Sequence, residues 1–273
     1  MNPIGVFDSG VGGLTVLAAL RHVMPDEDFI YLGDTARLPY GTKSCDTVVR
    51  YSLQCADALR RFGIRCLVVA CNTASASALD ALRVRHPAIP VIGVIEPGAQ
   101  AAVAASASQH IAVIGTEGTI AGGAYQAAIR RLNPLARVIA APCSLFVALA
   151  EEGWTTGPVA EAVARRYLDP MFASGGGEVP DTLLLGCTHF PALAASIGLA
   201  VPPRVRVVDS AGTTAAWVAR QMGAGAGSGE RLHDGRRGSV RWLATDGALR
   251  FARAGSLFLG ETLRAGDIEL IDL

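Results

Sequence analysis

The chain has 273 residues, enough for about two domains and a sizeable core. Its 24 basic and 24 acidic side chains cancel to a formal net charge of +0, so the electrostatic footprint of a nucleic-acid or acidic-membrane partner is missing. Although 51% of the residues are hydrophobic, Arg, Asp or Pro interrupts each long apolar stretch before it could span a bilayer, and the amino terminus lacks a secretory-signal pattern, so a cytoplasmic location is expected.

Strand-like runs alternate with helix-length segments almost throughout, the pattern of parallel βαβ units. A first strand over 4–7 runs into Asp8-Ser9-Gly10-Val11-Gly12-Gly13, and a helix follows over 13–23. The glycine spacing is not that of a dinucleotide fingerprint, and no P-loop lysine follows. Two readings stand here: a backbone cradle for a small anion such as a substrate carboxylate, or a tight strand-to-helix turn that needs glycine. A second strand over 29–32 leads into Gly33-Asp34-Thr35-Ala36-Arg37-Leu38-Pro39-Tyr40-Gly41, a polar loop on the edge where active-site loops gather. Asp34, Tyr40 and the Gly41 amide can reach a ligand from it, whereas Arg37 reads equally well as a surface ion-pair residue.

A helix over 45–62 precedes a strand over 66–70, which ends on Cys71-Asn72-Thr73 and passes into a helix over 73–85. The alternation continues with strands at 91–94, 111–114, 137–141, 182–185 and 205–208. Helices are predicted between and after them at 97–107, 119–132, 145–151, 157–172, 192–199 and 211–222. The strand at 182–185 ends on Gly186-Cys187-Thr188-His189, a second version of the turn at Cys71. Glycine-rich loops are expected at 174–177 and 223–229. A last strand over 239–244, a short helix near 248–254 and the tail complete the chain.

A repeat lies beneath this alternation. The run Ile4-Gly5-Val6-Phe7-Asp8-Ser9-Gly10 parallels Ile111-Ala112-Val113-Ile114-Gly115-Thr116-Glu117, and the cysteine turns recur at a similar offset, which predicts two related α/β lobes. Of six cysteines, none forms a C-x-x-C pair, so neither a disulfide scaffold nor a common zinc site is indicated. Cys45, Cys55 and Cys66 are expected to be small buried hydrophobes.

Cys71 and Cys187 differ from these in position. Each follows a strand carboxyl end, where open α/β sheets place their chemistry. Two thiols on equivalent strand ends can face one carbon from opposite sides, as moving a proton between its two faces requires. That points to a racemase that needs no cofactor. One sulfur must be thiolate while the other is thiol, and helix amino termini, histidine and oriented donors tune such groups. Asn72 and Thr73 flank the first thiol, Thr188 and His189 the second, and Glu151 or Glu152 can bind an ammonium group or tune Cys187.

Phe7 to Thr15, Gly33 to Gly41, Ala70-Cys71-Asn72-Thr73-Ala74-Ser75 and Gly186-Cys187-Thr188-His189-Phe190-Pro191 together resemble the glutamate racemases, in order and over essentially the whole chain. The resemblance implies an α/β fold of two pseudo-symmetric lobes, each with a mostly parallel sheet flanked by helices. It divides them as 1–94 with 209–273, and 95–208, with the active site in the cleft between. It further implies that Asp8, Ser9, Pro39, Tyr40, Gly41, Asn72, Thr73 and Thr188 hold glutamate, and that Thr116 and Thr119 sit at a carboxylate-binding turn. Cys71 would act on the D-enantiomer with help from Asp8, and Cys187 on the L-enantiomer with help from His189, with Glu151 beside it. No cofactor or metal is implied. A homodimer and a role in supplying D-glutamate for peptidoglycan are. Two departures stand out: serine and alanine within Cys143-Ser144-Leu145-Phe146-Val147-Ala148, where the family often has proline, and a longer loop after Gly223.

Two other readings remain open at the level of sequence. An aspartate racemase would use the same paired thiols, with a pocket differing by one methylene. A two-lobed amino-acid binding protein would need only the cleft.

Overall fold

The computed structural model describes residues 2–173, 178–223 and 237–273. Apart from Gly223, the predicted glycine-rich loops at 174–177 and 223–229 lie outside the described residues. In chain order the strands are β1 (Ile4–Asp8), β2 (Phe29–Gly33), β3 (Cys66–Val69), β4 (Val91–Gly93) and β5 (His110–Gly115), then β6 (Arg137–Pro142), β7 (Thr182–Gly186), β8 (Arg206–Asp209), β9 (Val240–Ala244) and β10 (Ile268–Leu270). The helices are α1 (Leu14–Val23), α2 (Cys45–Arg60), α3 (Asn72–Arg85), α4 (Ile95–Ala105), α5 (Glu117–Ala121) and α6 (Ala124–Leu132), then α7 (Leu145–Glu151), α8 (Pro158–Phe172), α9 (Ala194–Leu199), α10 (Ser210–Gln221) and α11 (Ala248–Leu259).

Among the described residues these strands form two parallel sheets, ordered β10-β9-β2-β1-β3-β4 and β6-β5-β7-β8. Burial on both faces explains the unbroken apolar runs of the central strands: every residue of β1, β3, β5 and β7 is buried. The order β2-β1-β3-β4 is repeated as β6-β5-β7-β8, so the pseudo-repeat read from sequence is a repeat of topology. Because all strands are parallel, their carboxyl ends lie along one edge of each sheet. Register places Asp8 opposite Gly33 and Phe7 opposite Val69, with Gly115 opposite Gly186 in the second sheet.

The chain passes from the first sheet to the second between β4 and α4, and returns through α10. Asp209 caps α10 by accepting the Ala211 and Gly212 amides, at 2.8 and 3.3 Å. One hydrophobic cluster joins the two halves: Ile4, Val6 and Leu17 share it with Ile114, Leu185 and Phe190, bridged by Ala215 and Val218 of α10.

Several predicted boundaries are corrected. The helix predicted over 119–132 is two helices, because Gly122-Gly123 breaks it and Gly123 takes a left-handed φ of 66°. Helix α4 starts at Ile95 rather than 97, since Pro97 sits in the first turn, where no N–H is needed. The short helix near 248–254 continues to Leu259 and stops at Gly260. Strand β10 was not expected in the tail. Cys45 is exposed in the first turn of α2, whereas Cys55 and Cys66 are buried as expected.

Candidate active site

At the end of β1 the Asp8 carboxylate is fully buried. Its Oδ2 accepts the Gly10 amide at 2.9 Å, and its Oδ1 has no partner among the described residues. Burial raises the pKa of Asp8, although His189 and the amides of Gly13, Gly10 and Ser9 pull it down. The glycines of this turn answer the two sequence readings in part. A Cβ on Gly12 would lie 2.4 Å from the His189 ring, so glycine is required by the approach of the second half of the molecule.

Cys71 follows β3 and occupies the N-cap position of α3. Its sulfur accepts the Ala74 amide at 3.5 Å and its thiol donates to Ser9 Oγ at 3.5 Å. Burial, with Asp8 next, pushes the thiol up to about 12, against the pull of Ser9 and Ala74. Charge on Cys187 raises it further, which places the two thiols within each other's electrostatic reach.

Cys187 follows β7 at the matching place in the second sheet. Its Sγ is 3.8 Å from His189 Nδ1, and His189 Nε2 is 3.2 Å from Glu151 Oε1 at the end of α7. Arg250 of α11 donates to the other oxygen, Oε2, at 2.7 Å. The Phe258 ring meets the imidazole edge-on at 5.0 Å. Burial opposes charge on His189, but its bonds to Cys187 and Glu151 prevail and carry it up to about 10. Burial likewise opposes charge on Glu151, and there the bonds to His189 and Arg250 hold the pKa below its ordinary value.

Hydroxyl and amide groups surround the same space. Thr73 of α3 is 2.9 Å from Thr116 and 3.2 Å from Thr119, which are 3.0 Å apart, so a triangle of hydroxyls joins the two halves. Gly41 packs so closely on Thr116 that a Cβ there would lie 2.6 Å from the threonine Cβ. Asn72 donates to Tyr125 Oη at 2.7 Å and keeps its own oxygen unpaired among the described residues. Thr188 is buried, its carbonyl accepting from Thr15 at 3.1 Å.

Asp8, Ser9, Gly41, Asn72, Thr73, Thr116, Thr119, Cys71, Cys187, Thr188, His189 and Glu151 are thus linked by contacts or shared fields across the two halves. Asp34 and Tyr40 are not part of this set through their side chains. The Tyr40 hydroxyl bonds to the Asp34 carboxylate, which also accepts from Arg37 Nε at 2.7 and 2.9 Å and from Thr245 at 2.9 Å. Arg37 is therefore committed to a buried carboxylate and to the Tyr51 ring 4.2 Å away, not to a loose surface pair. Exposed Pro39, after a cis peptide bond, begins the turn that carries Gly41. Sequence reasoning missed Tyr125 and Arg250. Tyr125 is an ordinary core aromatic in pattern, and Arg250 an ordinary exposed cation on an amphipathic helix, so neither had a local signal.

Among the described residues no group of three or more His, Cys, Asp or Glu is arranged to hold a metal, and no helix is long and apolar enough to cross a membrane.

A family profile described as Asp/Glu/hydantoin racemase matches residues 14–218. The chain belongs to this racemase family. It is 50% identical over 271 residues to glutamate racemase of Geobacter metallireducens, covering 99% of this chain and 96% of that protein. The crystal structure of a Bacillus anthracis glutamate racemase isoform superposes with a TM-score of 0.90 at 33% identity, covering 100% of this chain and 98% of that one. That of the Francisella tularensis glutamate racemase in complex with D-glutamate gives 0.88 at 34%, covering 99% and 97%. As a member of a racemase family the chain is an isomerase, and the paired cysteine turns stand in a fold whose relatives invert stereocentres.

Proposed function

We propose that this chain interconverts L- and D-glutamate by two-base proton transfer between Cys71 and Cys187, with no cofactor required. The observation that carries the reading is the pair of buried thiols at equivalent turns after β3 and β7, each 5% exposed and each provided with its own polar assistant. Removing the α-proton of an amino acid leaves a poorly stabilised carbanion, so the site must supply a base on one face, an acid on the other, and fixed donors for the developing charge.

In this reading the unpaired Asp8 Oδ1 receives the substrate ammonium. Neutralising Asp8 in that way removes one of the influences that hold the Cys71 thiol high, so binding itself prepares the base. The hydroxyls of Thr73, Thr116, Thr119 and Thr188, with Asn72, Ser9 and the Gly41 amide, hold the carboxylates; Tyr40 and Pro39 contribute the backbone of that turn. Cys71 takes the proton from D-glutamate while Cys187 delivers one to the opposite face, and the roles exchange for L-glutamate. His189, oriented by Glu151, supplies the countercharge that a thiolate at Cys187 needs. The same reading places the protein in the cytoplasm as a homodimer supplying D-glutamate to peptidoglycan. It treats 1–94 with 209–273 as one lobe and 95–208 as the other.

Incubation of purified protein in deuterated water tests the reaction. Deuterium should enter the α-position of both enantiomers of glutamate, and much more slowly that of aspartate. Glutamate that stays undeuterated would leave a binding protein as the better account, and faster exchange on aspartate would reassign the substrate.

A further inference from the structure

Glu151 is gripped from two sides. Its Oε1 lies on His189 Nε2, and its Oε2 accepts from Arg250, which belongs to a helix packed on the first sheet while α7 belongs to the second. A carboxylate with one oxygen free can rotate away from an imidazole, whereas one held at both oxygens cannot. The side chain of Glu151 is 12% exposed and that of Arg250 58%, so the cation reaches a nearly buried anion from the solvent side. A small cavity of about 100 Å³, lined by Val11, Leu38, Glu151, Arg250 and Phe251, lies beside the pair where the two halves meet. One turn further along α11, Arg253 approaches Glu152 at 3.7 Å, an exposed pair with no link to the thiols.

We propose that Arg250 is a positioning residue for racemisation, acting across the cleft through Glu151 and His189 to orient the Cys187 arm. The inference rests on the two-thiol reading above. Arg250 touches neither the substrate space nor a thiol. It fixes the carboxylate that fixes the ring that faces the sulfur, in the way outer hydrogen-bond partners orient catalytic imidazoles. Because α11 and α7 come from opposite halves, the chain Arg250–Glu151–His189–Cys187 spans both, which ties the orientation of the second thiol's partner to the way the halves meet.

A double-mutant cycle in glutamate racemisation tests this, with Arg250→Gln, Glu151→Gln and the double variant compared with the unaltered protein. Arg250→Gln should lower kcat about 3- to 10-fold with KM changed less than about 2-fold, and Arg250→Lys should recover most of the loss. The two enantiomers have equal free energy, so kcat/KM must fall equally in both directions, a check internal to the measurement. In the Glu151→Gln background the further change Arg250→Gln should have almost no effect. Arg253→Gln should leave kcat as it is.

Three results would overturn the inference: multiplicative losses in the double variant, an unchanged kcat in Arg250→Gln, or an equal loss in Arg253→Gln. Cys187→Ala run beside them separates the two levels. If that variant racemises normally, the two-thiol reading falls and this inference with it. If it is inactive while Arg250→Gln keeps full kcat, only the role of Arg250 is lost.

Discussion

Cys71 and Cys187 occupy matching turns but different surroundings, and the difference is chemical. Cys71 sits at the amino end of α3 with Ser9 and the Ala74 amide on its sulfur, and burial, with Asp8 next, raises its pKa. Cys187 faces an imidazole whose pKa is lowered by burial but raised, on balance to about 10, by its bonds to Cys187 and Glu151. Under the two-base proposal, an arriving substrate cation therefore eases ionisation of Cys71 by neutralising Asp8, whereas Cys187 has the imidazole of His189 beside it. Replacing either sulfur by oxygen preserves size and removes acidity, since an alcohol is far harder to ionise than a thiol. Cys71→Ser and Cys187→Ser should each lower racemisation at least about 100-fold, the lower end of what a general acid or base contributes. Thermal unfolding should stay close to that of the unaltered protein. Full activity in either variant, followed by polarimetry, would remove that cysteine from the chemistry.

The β1–α1 turn shows how an element places these residues. Gly12 allows His189 and Thr188 to approach the first half of the molecule, because a Cβ would stand 2.4 Å from the ring and 2.6 Å from the Thr188 hydroxyl. Gly12→Ala must push the imidazole off Cys187 or hold the two halves apart. Either shift should lower kcat/KM by 10-fold or more, since small misplacements of catalytic groups are expensive in rate. Crystallographic or NMR comparison should then find the His189 ring displaced; an unmoved ring with full activity would contradict the packing argument.

The same turn marks what sequence could convey. β1, β3, β5 and β7 were legible because strands buried on both faces are written as continuous apolar runs, and their ends fixed where Asp8, Cys71, Thr116 and Cys187 would emerge. The three-residue strand β10 was too short to leave a period, and it forms by pairing with β9, a contact invisible locally. Side-chain direction in loops was equally hidden. Asp34 and Tyr40 stand in a loop beside the site, yet they turn toward each other and Arg37, since a buried carboxylate needs partners more than a ligand needs this one. Arg250 lies 99 residues from the carboxylate it holds, and nothing in its helix distinguishes it from a solvated cation.

At the scale of the whole molecule, two repeated topologies do not make two independent folding units. Each sheet has an outer cluster of its own, one around Leu59 and Leu79 and the other around Ile129 and Val113. The largest cluster belongs to neither, because it runs from β1 and α1 through α10 into β7 and Phe190. Separating the halves would strip apolar cover from this shared cluster, at about 1.5–3 kcal/mol for each large apolar side chain left in water. That penalty exceeds what a handful of hydrogen bonds between the halves could offset, so any relative movement of the halves is limited to a small hinge about this shared core. It also couples the unfolding of both sheets. A calorimetric scan should therefore give one transition whose van't Hoff enthalpy matches the calorimetric value. Two resolved transitions, or an isolated 95–208 fragment that unfolds cooperatively by itself, would mean the shared cluster binds the halves more weakly than its burial implies.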